Sequence, residues 1–82
     1  MTITILSQPG CAACRLVERT VAQAGLVADV RDVRADPDAE HLLRGIYDAY
    51  RPGHHPATPV TIIDDRPVFG VDARKALRDL AA

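Results

Sequence analysis

The chain switches repeatedly between two hydrophobic periods, and most of the switches fall on a proline or a glycine. Thr2–Leu6, "TITIL", alternates and is β-branched, the pattern of a strand. Ser7-Gln8-Pro9-Gly10 breaks it. Cys14, Val17, Val21 and Ala24 then recur three, four and three apart, one face of a helix over Cys11–Ala24, and Gly25 stands where helices commonly end. Leu26–Val33 reads as a second strand, anchored by Val27, Val30 and Val33 and frayed at its start, with Asp29, Arg31, Asp32 and Arg34 as its solvated face. Asp36 as N-cap, Pro37 at the first helical position and Asp38 and Glu40 in the first turn open a second helix. Its apolar face is Leu42, Leu43, Ile46, Tyr47 and Tyr50, and it must stop near Arg51, before Pro52 and Gly53. After the proline-rich loop Arg51–Pro59, the strands Val60–Asp64 and Pro67–Gly70 form a hairpin about a turn at Asp65–Arg66, and Pro67 suits an edge strand. Asp72 is expected to cap a last helix with Ala73, Ala76, Leu77 and Leu80 facing inward.

The order β-α-β-α-β-β-α leaves few arrangements. The first β-α-β unit is a right-handed crossover with parallel strands, and the hairpin adds two strands antiparallel to them. An α/β fold with a four-stranded mixed sheet flanked by helices on both faces buries every apolar stripe named above. Eighty-two residues predict one domain, 1–82, and no repeat, low-complexity tract or linker interrupts it.

Charge narrows the function classes. The formal net charge is −1, with both signs mixed along the chain, so nothing favours a nucleic-acid or anionic-membrane partner. No apolar run approaches the roughly 20 residues of a membrane span. "MTITILSQPG" lacks the charged and long apolar segments of a secretion signal, so a cytoplasmic location is expected. In a reducing compartment an isolated cysteine pair is more often catalytic or metal-binding than a structural staple.

Cys11 and Cys14 are the only cysteines. Cys11 falls at the strand-to-helix junction, where unpaired backbone N–H groups and the helix dipole favour an anion. Thiols so placed in Cys-x-x-Cys motifs drop from about 8.5 into roughly the 3.5–7.5 range, and the thiolate is the nucleophile of disulfide exchange. Cys14 lies one turn on, over the same face, where an ordinary protonated thiol is expected. Cys11 would attack a substrate disulfide and Cys14 would resolve the mixed disulfide. Burial as small hydrophobes is a second reading. Metal or iron–sulfur binding is a third, and a chain offering two thiolates needs a dimer or further ligands to complete four. His41, His54 and His55 are the remaining candidates, and His54-His55 lack the usual ligand spacing.

Three motifs in this order resemble the glutaredoxins and the glutaredoxin-like NrdH-redoxins of the thioredoxin-fold superfamily. "QPGCAAC" resembles the redoxin active-site loop, which makes Cys11 the attacking and Cys14 the resolving cysteine. "ATPV", Ala57–Val60, is similar to the loop before the third strand; the resemblance implies that Pro59 is cis and that the backbone of Thr58 pairs with substrate. "FGVDARKAL" resembles the turn into the last helix, where glutaredoxins hold a glutathione carboxylate; Gly70, Val71 and Asp72 occupy those positions. Two departures stand out. Gln8 takes a position where many relatives carry lysine, so it offers no cation to glutathione or to a thiolate. The loop "YRPGHHPA" is a few residues longer and is expected to frame the substrate site. His54 and His55 there are either solvated or in contact with substrate. Arg15, beside Cys14, is either a rim cation or part of a solvated helix face.

The resemblance implies a thiol–disulfide oxidoreductase, a disulfide reductase acting as an electron carrier in cell redox homeostasis. It implies no tightly bound cofactor and no metal. Reducing equivalents would come from glutathione, another low-molecular-weight thiol or thioredoxin reductase with NADPH. The expected partners are disulfide-containing proteins and that reductant, acting on a monomer. A redoxin fold reused for docking, with weak catalysis, is the remaining alternative.

Overall fold

Strand β1 (Ile3–Ser7) decides the architecture because both of its faces are apolar. Ile3 and Ile5 point to one side and Leu6 to the other, and all three are buried. A strand of that kind belongs in the middle of a sheet covered on both sides. In the computed structural model, which describes residues Met1–Ala82, the sheet order is β2-β1-β3-β4. β1 runs parallel to β2 (Asp29–Asp32) and antiparallel to β3 (Val60–Ile63), and β3 pairs antiparallel with β4 (Arg66–Phe69). Helices α1 (Ala12–Gln23), α2 (Pro37–Tyr50) and α3 (Ala73–Ala81) complete the expected order, with a short 3-10 turn, Gly70–Asp72, before the last.

Two apolar clusters flank the sheet. Ile3, Ile5, Val17, Val21, Ala73 and Leu77 join β1 to α1 and α3. Leu6, Val33, Ala39, Leu43, Tyr47 and Val60 join the opposite face to α2. Each fully buried aliphatic side chain contributes about 1.5–3 kcal/mol. Tyr47 also packs edge-on against Phe69, ring centroids 5.3 Å apart, and the Arg51 guanidinium lies 4.1 Å from the centroid of the same ring.

Helix ends follow local chemistry. The Asp36 side chain accepts from the N–H groups of Asp38 and Ala39, with Pro37 at the start of the helix. Gly25, at φ +71°, closes α1. Its N–H donates to Ala22 O and that of Leu26 to Val21 O, a Schellman ending, and Leu26 packs on the cluster that holds Val21.

Several expectations need correction. β2 is four residues, not eight, and it is an edge strand. Val27, 89% exposed, and Val30 are not anchors; Leu26 and Ala28 pack on one cluster and Val33 on the other. The hairpin turn is Asp64–Asp65, one residue earlier than expected, with both residues at positive φ (46° and 69°). That conformation matches the twist of the flanking strands, and aspartate tolerates it better than most residues. Asp72 does not cap α3. Its backbone is already helical and its side chain makes no capping hydrogen bond, because the chain turns earlier, at Phe69 and at Gly70 with φ +61°. On α2, Leu42 and Tyr50 lie on the exposed flank while Ala39, Leu43 and Tyr47 face the sheet; Leu80 of α3 is likewise exposed.

Candidate functional site

The site forms where β1 runs out. Gly10, at φ +76°, turns the chain after Pro9, and Cys11 takes the extended N-cap position of α1. Its sulfur does what a serine or aspartate oxygen usually does there: it accepts the N–H of Cys14 at 3.1 Å. Cys11 and Cys14 are joined as a disulfide with their Cα atoms 5.2 Å apart. The two sulfurs are not equivalent. Cys11 is half-buried at the surface and Cys14 is fully buried against the sheet.

Thr58 comes from the other end of the chain to meet them. Its hydroxyl donates to Cys11 Sγ at 3.6 Å, and its carbonyl oxygen lies 3.8 Å from the same sulfur. The Thr58–Pro59 peptide bond is cis, the isomer expected from the "ATPV" motif, and Pro59 is buried. Gln8 Nε2 donates to Thr58 Oγ1 at 2.9 Å. Gly70 N–H donates to Pro59 O at 2.9 Å, which ties the turn before α3 to this loop and commits that amide. The turn Gly70–Asp72 packs against α1, with Val71 and Asp72 exposed. The fold therefore gathers Gln8, Cys11, Cys14, Thr58 and Pro59 around one disulfide, with Gly70 one hydrogen bond away.

A cleft of about 450 Å³ opens beside Thr58. Gln8, His55, Arg34, Arg44 and Glu40 are among its walls, and Arg44 pairs with Glu40 at 3.1 Å. The long loop borders this cleft through His55, Pro56 and Ala57, while His54 closes a local turn, its N–H donating to Arg51 O. Arg15 is exposed and borders a shallower hollow with Gln8, Glu18 and Asp32. Glu18 accepts from the Ser7 hydroxyl at 3.3 Å. No group of three or more His, Cys, Asp or Glu side chains converges at one place in the structure.

Sequence reasoning did not find Arg34 or Arg44. Arg34 reads as part of a solvated strand face. The one local sign for Arg44 is its i, i+4 spacing from Glu40, which predicts a helix-surface pair and no cleft. The Gln8–Thr58 contact spans 50 residues and has no local signature.

By sequence, neither a known family nor a curated protein matches the chain. Solved structures do. The NrdH-redoxin from Escherichia coli, described as glutaredoxin-like, superposes with a TM-score of 0.78 at 25% identity, covering 98% of this chain and 95% of that one. The chain has the thioredoxin-like fold of the glutaredoxins and NrdH-redoxins. The thioredoxin-like protein BC3987 gives a TM-score of 0.75 at 27% identity over 93% of this chain and 99% of its own. A wheat glutaredoxin, 16% identical and covering 96% of this chain and 72% of that one, matches in fold, with a TM-score of 0.75. In this redoxin fold the Cys-x-x-Cys pair opens the first helix and the Thr58–Pro59 loop leans against it.

No helix is long and apolar enough to cross a membrane.

Proposed function

We propose that this chain is a dithiol thiol–disulfide oxidoreductase of the glutaredoxin and NrdH-redoxin type. The observation that carries the reading is the inequality of the sulfurs: Cys11 at the helix start and accessible, Cys14 one turn on and buried. In the reduced protein the Cys11 thiolate attacks one sulfur of a substrate disulfide. A protein–substrate disulfide forms and the other substrate sulfur leaves as a thiolate, which takes up a proton. Cys14 then gives up its proton and attacks Cys11 Sγ, and the second substrate thiolate leaves. Two electrons have passed from the protein dithiol to the substrate, and the Cys11–Cys14 disulfide remains. Cys14 is held one turn from Cys11, with the Cα atoms 5.2 Å apart, so its attack on that sulfur is favoured by proximity.

On this reading residues 1–82 act as one monomeric, cytoplasmic domain that carries electrons to disulfide-containing proteins. Thr58 and Pro59 present the substrate, with Gln8 behind them, and Gly70, Val71 and Asp72 form the far rim. No tightly bound cofactor is required. Glutathione, another low-molecular-weight thiol, or thioredoxin reductase with NADPH re-reduces the pair. The E. coli neighbour's described thioredoxin-like activity profile supports including the last of these. Oxidised protein supplied with each reductant side by side, with NADPH consumption followed, identifies the donor.

The decisive variants are at the thiols. Cys11→Ser is expected to abolish disulfide reduction. Cys14→Ser is expected to stall at the protein–substrate disulfide, visible by mass spectrometry as an adduct on Cys11. Full turnover by Cys11→Ser would overturn the mechanism.

A further inference from the structure

We infer that Gln8 is a positioning residue: its amide fixes the Thr58 hydroxyl so that the hydroxyl proton points at Cys11 Sγ, in a relay of neutral groups. A threonine hydroxyl has one proton and two acceptor sites. Here the amide Nε2–H of Gln8 occupies an acceptor site at 2.9 Å, and the proton goes to the sulfur at 3.6 Å. Were the oxygen of the Gln8 amide turned toward Thr58, it would take that single proton and leave the sulfur without it. Thr58 is β-branched and half-buried, which limits the rotamers open to its hydroxyl. The Cys14 N–H supplies a second donor to the same sulfur at 3.1 Å.

The relay matters most after reduction. A disulfide sulfur is a weak, neutral acceptor. When the disulfide takes up two electrons and one proton from a thiol reductant, the products are the Cys11 thiolate and the Cys14 thiol. The same two donors then face a full negative charge, and charge-assisted hydrogen bonds are about twice as strong as neutral ones. No cation makes a hydrogen bond to Cys11 Sγ: among the charged or titratable groups around the site are Arg15 and Glu18 on α1, Asp32 on β2, Arg34 and Arg44 in the cleft beside Thr58 and His55 in the long loop, and none of them is bonded to it. A lysine at position 8 would act through space and be screened by salt. A contact relay is largely indifferent to it.

The inference gives the Cys11 of the proposed mechanism its thiolate character, and it is tested without turnover. Reduced Cys14→Ala protein is titrated by its ultraviolet thiolate absorbance, so that one thiol reports. Thr58→Val should raise the Cys11 pKa by roughly one pH unit, as expected for loss of a hydrogen bond to a charged group. Thr58→Ser should restore it, which a packing defect would not allow. Gln8→Met should raise it by less, and should add nothing in a Thr58→Val background. Raising salt should leave the wild-type value nearly unchanged. In protein that keeps Cys14, Thr58→Val should also make the disulfide harder to reduce against a glutathione or dithiothreitol buffer. An unaltered titration in Thr58→Val, or an undiminished Gln8→Met effect without the Thr58 hydroxyl, would overturn the relay. Either result leaves the Cys11→Ser assay, and with it the proposed function, to stand or fall separately.

Discussion

Thr61 is wholly buried between Ile5 on β1 and Val68 on β4, on the face covered by α1 and α3, and its hydroxyl finds no partner. A buried donor without an acceptor costs about 1–3 kcal/mol. Valine has nearly the same shape and no polar atom. Thr61→Val is therefore expected to stabilise the fold by about 1 kcal/mol, read as a higher urea midpoint with an unchanged slope. A lower midpoint would mean that the hydroxyl is satisfied after all. Thr20, on α1 over the same face, shows the contrast: its hydroxyl donates to Leu16 O at 2.9 Å and accepts from Arg74 Nε at 3.2 Å. Two buried threonines on the same side of the sheet thus have opposite claims on the fold, and burial alone does not distinguish them.

At the scale of elements, two aspartates that look alike in sequence start their helices differently. Asp36 caps α2 with its side chain, and Asp36→Ala should cost about 1 kcal/mol. Asp72 makes no such bond, and Asp72→Ala should cost less than about 0.5 kcal/mol. Thermal or chemical denaturation of the two variants side by side tests the pair, and equal losses would contradict it. Both aspartates precede an apolar-periodic run, which is why the sequence reads them alike. The difference lies in Gly70, whose positive φ starts the turn two residues early. The elements were otherwise legible because their signals are local: Pro37 after Asp36, Gly25 after Ala24, and the change of period at Pro9-Gly10. Three valines suggest a longer strand at β2 than the four residues that pair, because an edge strand needs only part of its length covered. In the candidate site, Cys11, Cys14 and the Thr58–Pro59 loop were legible from short motifs. The Gln8–Thr58 hydrogen bond and the arrival of Arg34 and Arg44 at the same cleft depend on how the sheet brings distant segments together, which no window of sequence contains.

Across the whole molecule, the stable framework is the sheet with a cluster on each face. The ion pairs Arg31–Asp29, Arg44–Glu40 and Lys75–Asp79 are all exposed and add little to it. Hydrogen bonding to Asp29, and then its charge, raises the Arg31 pKa still further, so that guanidinium stays charged at any working pH. The long loop stands apart from the framework, fastened at both ends. Arg51 N–H donates to Tyr47 O and its guanidinium sits over Phe69; Tyr47 Oη donates to Ala57 O at 3.3 Å. Thr58 is gripped beyond that point by Gln8, and Pro59 by Gly70. Between the fastenings, Pro52–Pro56 is exposed throughout. Loop closure depends only weakly on added length. Four Gly/Ser residues inserted between Gly53 and His54 should therefore leave the thermal midpoint and the disulfide reductase rate close to those of the parent, and a large loss of either would show that the loop itself holds Thr58. Held on either side, the exposed span is free to vary in length and composition while Thr58 and the disulfide keep their geometry.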